Sequence, residues 1–196
     1  MKPARFMTAA AVAFALAFAL LAADAARPHV FRLDRVVQAW ARTAGHPALD
    51  APMRALALLG SGYVVVGLSV VGYALLGRAG HPLARRVPPA IGGALLVEML
   101  AKWGVARPRP DGTANGFPSG HAFGVAMLSG AVAWLIWTSR LRWEGRAVGV
   151  VFAVVVTLGV GYCRIYLNVH WLSDVVGGLC GGVACLLLVL LSLPRR

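Results

Sequence analysis

Residues 102–121 read KWGVARPRPDGTANGFPSGH, a polar, proline-broken stretch set between long uncharged runs in a chain that is 59% hydrophobic. It gathers Lys102, Arg107, Arg109 and His121. Donors this dense are costly to bury without acceptors, so the stretch belongs where water or an anion can meet it. A second polar patch, CRIYLNVHWLSD at 163–174, interrupts the C-terminal half in the same way.

At 196 residues the chain is expected to be a single domain, and its apolar fraction exceeds the ~45–50% usual for soluble domains. That points to a membrane protein. The 19 Lys and Arg against 7 Asp and Glu give a formal charge of +12. The basic residues fall in short segments between apolar runs, as membrane-flanking charge does, rather than clustering on one solvated face as in nucleic-acid binders. No nucleic-acid partner is expected. Cys163, Cys180 and Cys185 lie in or beside apolar runs without metal-ligand spacing and read as free thiols filling space.

A helical span needs roughly 17–25 apolar residues. Laid along the chain, that ruler gives six spans, at about 6–23, 53–76, 88–103, 121–138, 147–167 and 175–193. The expected fold is therefore all-α, an integral membrane bundle of six transmembrane helices. The first run, preceded by Lys2 and Arg5, is longer than the ~7–15 residues of a signal core and is read as retained, although Ala23-Asp24-Ala25 also fits a cleavage site. Across 27–42, Val30, Leu33, Val36, Val37, Trp40 and Ala41 recur at helical spacing while Arg32, Arg35 and Arg42 take other faces. An interfacial amphipathic helix fits that pattern, and so does a solvated helix packed on the bundle. Gly-Ser-Gly at 60–62 suits close packing inside the second span.

With six spans, the N-terminus, the 78–87 loop, the 139–146 turn and Arg195-Arg196 share one face, which positive-inside logic makes cytoplasmic. Both polar patches then lie on the outer face of a plasma (bacterial-type inner) membrane. Trp103 and Trp171 at outer ends, with Trp134, Trp137 and Trp143 at inner ends, match interfacial belts.

Arginine outnumbers lysine 17 to 2, so a lysine at 102 stands apart from general usage. An ammonium beside planar guanidinium groups suits a phosphate, although cations at helix ends also anchor to lipid headgroups. For Arg107 both readings stay open. Glu98, four residues before Lys102, is expected to pair with it. Ser119 is placed to cap a helix whose first amides form an anion site, or to be an ordinary cap. If His170 and Asp174 occupy the first turns of the last helix, their spacing of four puts them on one face, and Asp174 can orient the imidazole as nucleophile or base.

Lys102, Arg109 and Pro110 as K-x6-R-P, Pro118 to His121 as P-S-G-H, and Arg164, His170 and Asp174 as R-x5-H-x3-D together resemble the signature blocks of the type 2 phosphatidic acid phosphatase (PAP2) family, related to vanadium haloperoxidases. The resemblance implies metal-independent hydrolysis of a lipid phosphate or diphosphate, without a cofactor, through a phosphohistidine. The substrate class would be that of undecaprenyl diphosphate, phosphatidic acid or phosphatidylglycerol phosphate, and the partners are that lipid and the surrounding membrane. It also implies His170 as nucleophile, Asp174 as its orienting partner and His121 as the acid. Lys102, Arg109, Ser119, Gly120 and Arg164 would be the phosphate cradle. One position departs: Cys163 stands where the family usually has serine. Two rivals are a metal site built from His121, His170 and Asp174, and a membrane protein that binds or transports a lipid phosphate without turnover.

Overall fold

A computed structural model describes residues 3–194, and Lys2, Arg195 and Arg196 lie outside them. Every regular element among the described residues is helical: α1 (Pro3–Ala25), α2 (Arg32–Thr43), α3 (Pro47–Leu58), α4 (Gly62–Arg78), a short 3-10 turn (Pro82–Arg86), α5 (Val87–Val105), α6 (Gly120–Trp137), α7 (Trp143–Tyr166) and α8 (Leu172–Leu191). Helix α8 is the central stave, packed against α1 and α6, with α7 on the other side of α6.

The apolar character follows a membrane solvent. Large hydrophobics such as Leu20, Tyr63, Val148 and Phe152 point outward, while the interior of α8 is built from glycines that let backbones approach. A Cβ on Gly178 would stand 2.5 Å from the Ser119 carbonyl oxygen. No other residue lets α8 run that close to the start of α6.

Among the described residues four helices, α1, α6, α7 and α8, are long and apolar enough to cross a membrane, and a fifth crossing arises if α3 and α4 count as one bent span. Helix α5 is outside that set, since Glu98 and Lys102 dilute its apolar run. The expected second span at 53–76 is not one straight helix: it breaks after Leu58 and resumes at Gly62 with a bend of 40°. The break puts Gly60 against α6 and α7, where a Cβ would stand 2.6 Å from Val160 and 2.9 Å from the His121 carbonyl oxygen. Gly62 faces open space, so only the first glycine of the Gly-Ser-Gly triplet serves close packing.

Helix α2 turns its faces differently from the periodicity reading. Its buried residues are Asp34, Gln38 and Ala41, one turn apart, while Leu33, Val36 and Trp40 are exposed. The polar stripe faces the protein because it has partners there, described below.

At the end of the bundle opposite the polar patches, Arg86 donates to the Ser192 carbonyl at 2.8 Å, joining the 3-10 turn to the end of α8.

Candidate active site

The C-terminal ends of α5 and α7 and the N-terminal ends of α6 and α8 come together at one end of the bundle, and each carries part of the two polar patches. The α5–α6 loop is fixed by its own hydrogen bonds. Arg109 N–H donates to the Thr113 carbonyl at 2.8 Å, Gly116 N–H to the Arg107 carbonyl at 2.7 Å, and Asp111 Oδ1 accepts from the Thr113 amide and hydroxyl. These bonds hold the exposed Asp111 carboxyl below its usual range, the Thr113 hydroxyl being the main cause. Ser119 N–H donates to the Asp174 carbonyl at 3.0 Å, which stitches the first patch to the second.

Ser119 is the N-cap of α6, but its side chain makes no capping bond and its buried Oγ has no partner. The first amides of the helix have no intrahelical acceptors and carry the positive end of its dipole. Arg109 Nε and Arg164 Nε are likewise buried and unpaired. An oxyanion with several oxygens would satisfy these donors.

His121, in the first turn of α6, is within electrostatic reach of His170, Arg164, Lys102 and Arg109. Lys102, Arg109 and Arg164 thus lie in the same region as the His121 and His170 rings. Lys102 Nζ donates to the Pro118 carbonyl at 3.0 Å and lies 3.4 Å from Glu98 Oε1. The Glu98 pairing is present, and the carboxylate also lies against Gly120.

His170 is not in α8. The helix begins at Leu172 with Trp171 as N-cap, so His170 sits in the corner after α7 and Asp174 is the third helical residue. The two still meet, His170 Nδ1 lying 3.5 Å from Asp174 Oδ2, which is too long for a formed hydrogen bond. Asp174 Oδ2 is engaged by the Trp171 amide at 2.9 Å, and Oδ1 by Arg107 Nη1 at 2.8 Å. Burial is the main influence on His170 and draws its pKa below the ordinary value of 6.5, with Asp174 opposing and Arg109 and Arg164 reinforcing.

Arg107 is 3% exposed and is no headgroup anchor. Its Nη2 lies 2.8 Å from Asp34 Oδ2, while Nη1 donates to Asp174 and, at 2.6 Å, to Ser173 Oγ. Asp34 in turn accepts from the Ser173 amide at 2.8 Å. One turn along α2, Gln38 Nε2 donates to Asn168 Oδ1 at 2.7 Å and to the Ile165 carbonyl at 3.2 Å, and Arg42 reaches the same Asn168 oxygen. Asp34, Gln38, Arg42, Asn168 and Ser173 carry no motif and escaped the sequence reading. Their trace in the sequence was the polar repeat at 34, 38 and 42.

The Cys163 sulfur is buried and faces Met53 Sδ at 3.5 Å, toward α3. Among the described residues no group of three His, Cys, Asp or Glu side chains is arranged to hold a metal ion. An apolar cavity of about 380 Å³ lies between α4, α5 and α6, and its lining includes Gly60, Glu98 and Gly120. The cavity thus reaches the residues that flank His121.

The sequence profile of the PAP2 superfamily matches residues 89–196, more than half of the chain and all of both patches. The chain belongs to the PAP2 superfamily. A lipid A 1-phosphatase of Porphyromonas gingivalis is 35% identical over 119 residues, which cover 59% of this PAP2 chain and 25% of that protein. Phosphatidylglycerophosphatase B of Bacillus subtilis is 31% identical over 103 residues, 48% of this chain and 50% of that protein. The chain therefore spans between a quarter and half the length of these curated relatives. The crystal structure of a transmembrane PAP2-type phosphatidylglycerolphosphate phosphatase from Bacillus subtilis superposes with a TM-score of 0.81 at 26% identity, covering 91% of this PAP2 chain and 93% of that one.

Proposed function

We propose that this PAP2 protein hydrolyses a lipid phosphate or diphosphate, without a metal, through a phosphohistidine on His170. The observation that carries the reading is the convergence of His170 and His121 with the unpartnered donors of Ser119, Arg109 and Arg164. The neighbouring apolar cavity supports a lipid rather than a soluble ester, as do the names of the lipid A and phosphatidylglycerophosphate relatives.

In this mechanism Lys102, Arg109, Arg164, Ser119 and the Gly120 amide hold the phosphate oxygens and offset the charge that builds in the transition state. Nδ1 of His170 faces Asp174, leaving Nε2 as the attacking lone pair. A P–N bond forms as the P–O bond to the lipid breaks, and His121 gives its proton to the departing oxygen. Asp174 stabilises the charge that the His170 ring acquires. Water then attacks phosphorus with His121 as base, the P–N bond breaks, and phosphate leaves with His170 neutral again.

Helix α5 is the sixth crossing in this proposal, its Glu98 and Lys102 turned to the site rather than to lipid. The site opens on the outer (periplasmic) face of the plasma membrane, and the exposed Leu33, Val36 and Trp40 rest α2 in the interface. The test is phosphate release by purified protein in micelles from phosphatidic acid, phosphatidylglycerol phosphate, lipid A and undecaprenyl diphosphate, beside His170→Ala. Release from at least one lipid, lost in the variant, supports the proposal; equal release by the variant refutes the nucleophile.

A further inference from the structure

We propose that Arg107 and Asp34 are positioning residues for the proposed nucleophile, a buried two-carboxylate clamp by which α2 sets the place and charge of Asp174 beside His170. The inference rests on the reading of His170 as the reacting group.

The geometry is closed on every side. Arg107 spans the gap between α2 and α8, with Nη2 2.8 Å from Asp34 and Nη1 2.8 Å from Asp174. Ser173 fills the remaining corner, its hydroxyl 2.6 Å from Asp34 Oδ2 and its amide 2.8 Å from Asp34 Oδ1. With Oδ1 of Asp174 held by Arg107 and Oδ2 by the Trp171 amide, the carboxylate cannot swing to or from the imidazole. The indole of Trp171 is pinned as well, donating to the Pro108 carbonyl at 3.0 Å with the Arg107 guanidinium 5.9 Å from its ring centre.

A buried cation facing two carboxylates is costly to assemble from scratch, and helix packing alone does not require it, since an apolar trio of similar volume serves stability as well or better. What the trio supplies is a fixed anion. Asp34 also offsets part of the Arg107 charge that Asp174 would otherwise meet alone. Removing either member moves the potential at His170, in opposite directions.

The charged groups that face His170 are Asp174 from α8, Arg164 from α7, Arg109 from the α5–α6 loop and His121 from α6, with Arg107 and Asp34 behind Asp174. Asp34→Asn keeps the shape but deletes a negative charge and turns one of the two accepting oxygens into a donor, so His170 becomes harder to protonate. Arg107→Gln deletes the positive charge and leaves two carboxylates, so His170 becomes easier to protonate. A purely structural role moves neither.

The experiment is the pH dependence of phosphate release by the full chain in detergent micelles, for the natural protein, Asp34→Asn, Arg107→Gln and His170→Ala. Asp34→Asn is expected to move the acid limb to lower pH and Arg107→Gln to move it to higher pH. Each should cut kcat by about ten- to a hundredfold through misplacement of Asp174, with KM within about twofold because the phosphate cradle is untouched. If Arg107→Gln fails to give monodisperse protein, the isosteric Asp34→Asn decides alone. An unmoved acid limb in Asp34→Asn, a shift of the same sign in both variants, or a loss that falls on KM with kcat unchanged overturns the inference. Activity retained in His170→Ala would instead sink the nucleophile itself, so the two failures are told apart.

Discussion

Nδ1 of His170 lies 3.5 Å from Oδ2 of Asp174, although the first residue precedes the N-cap of α8 and the second is inside its first turn. The gap is wider than a hydrogen bond, and the carboxylate is already engaged by Arg107 and the Trp171 amide. In the proposed mechanism Asp174 therefore acts on the ring chiefly as a fixed charge until the imidazole gains positive charge. Asp174→Asn is expected to reduce kcat by about three to four orders of magnitude, the scale seen when the orienting carboxylate of a histidine is neutralised. Single-turnover phosphate release would measure it.

Burial, the largest influence, holds the His170 pKa below 6.5, and in the proposed mechanism the neutral ring is the one that attacks. Loss of rate through protonation of His170 is therefore expected at lower pH than the ordinary imidazole value would give. The same shift ties stability to pH. An imidazole whose pKa is depressed by folding adds stability above its unfolded value, and that share is lost as pH falls toward the folded one. A pH–kcat/KM profile checks the first point and thermal midpoints across pH 4–7 check the second.

Vanadate, a phosphate mimic, is expected to inhibit by occupying the donors of Ser119, Arg109 and Arg164, while chelators leave the rate unchanged. The measurement is turnover after dialysis against a chelator, with and without added divalent ions. Activity that disappears and returns with the ion would favour a metal hydrolase.

Gly178 and Gly62 separate packing from propensity. A Cβ at 178 would meet the Ser119 carbonyl at 2.5 Å, whereas one at 62 meets nothing within 4 Å. Gly178→Ala is expected to cost about 1–3 kcal/mol by overpacking and to lower activity by displacing Ser119. Gly62→Ala should stay within about 0.5 kcal/mol. Thermal unfolding in detergent beside phosphate release distinguishes them.

Cys163→Ser restores the residue usual in the family at a position whose side chain faces Met53 rather than the cradle. The expected outcome is unchanged catalysis and a lowered melting midpoint, because a hydroxyl replaces a thiol that fills an apolar gap.

The residues of the proposed site were legible in the chain because each was a local exception. Lys102, Arg109, His121, Arg164, His170 and Asp174 are polar interruptions between apolar runs, and the helices α6, α7 and α8 follow from run length alone. The break at Leu59 to Ser61 was not legible, since the Gly-Ser-Gly there read as close packing inside one span, and the contacts of Gly60 with Val160 and the His121 backbone come from distant segments. Arg107 could be read as anchor or ligand because a charge in sequence carries no record of its partners. Only tertiary structure brought Asp34, 73 residues earlier in the chain, to its side. Periodicity reports which side chains avoid water in general, but α2 buries its polar stripe. A carboxylate with a guanidinium to meet loses less on leaving water than the periodicity rule assumes, and that meeting is decided by packing between distant segments.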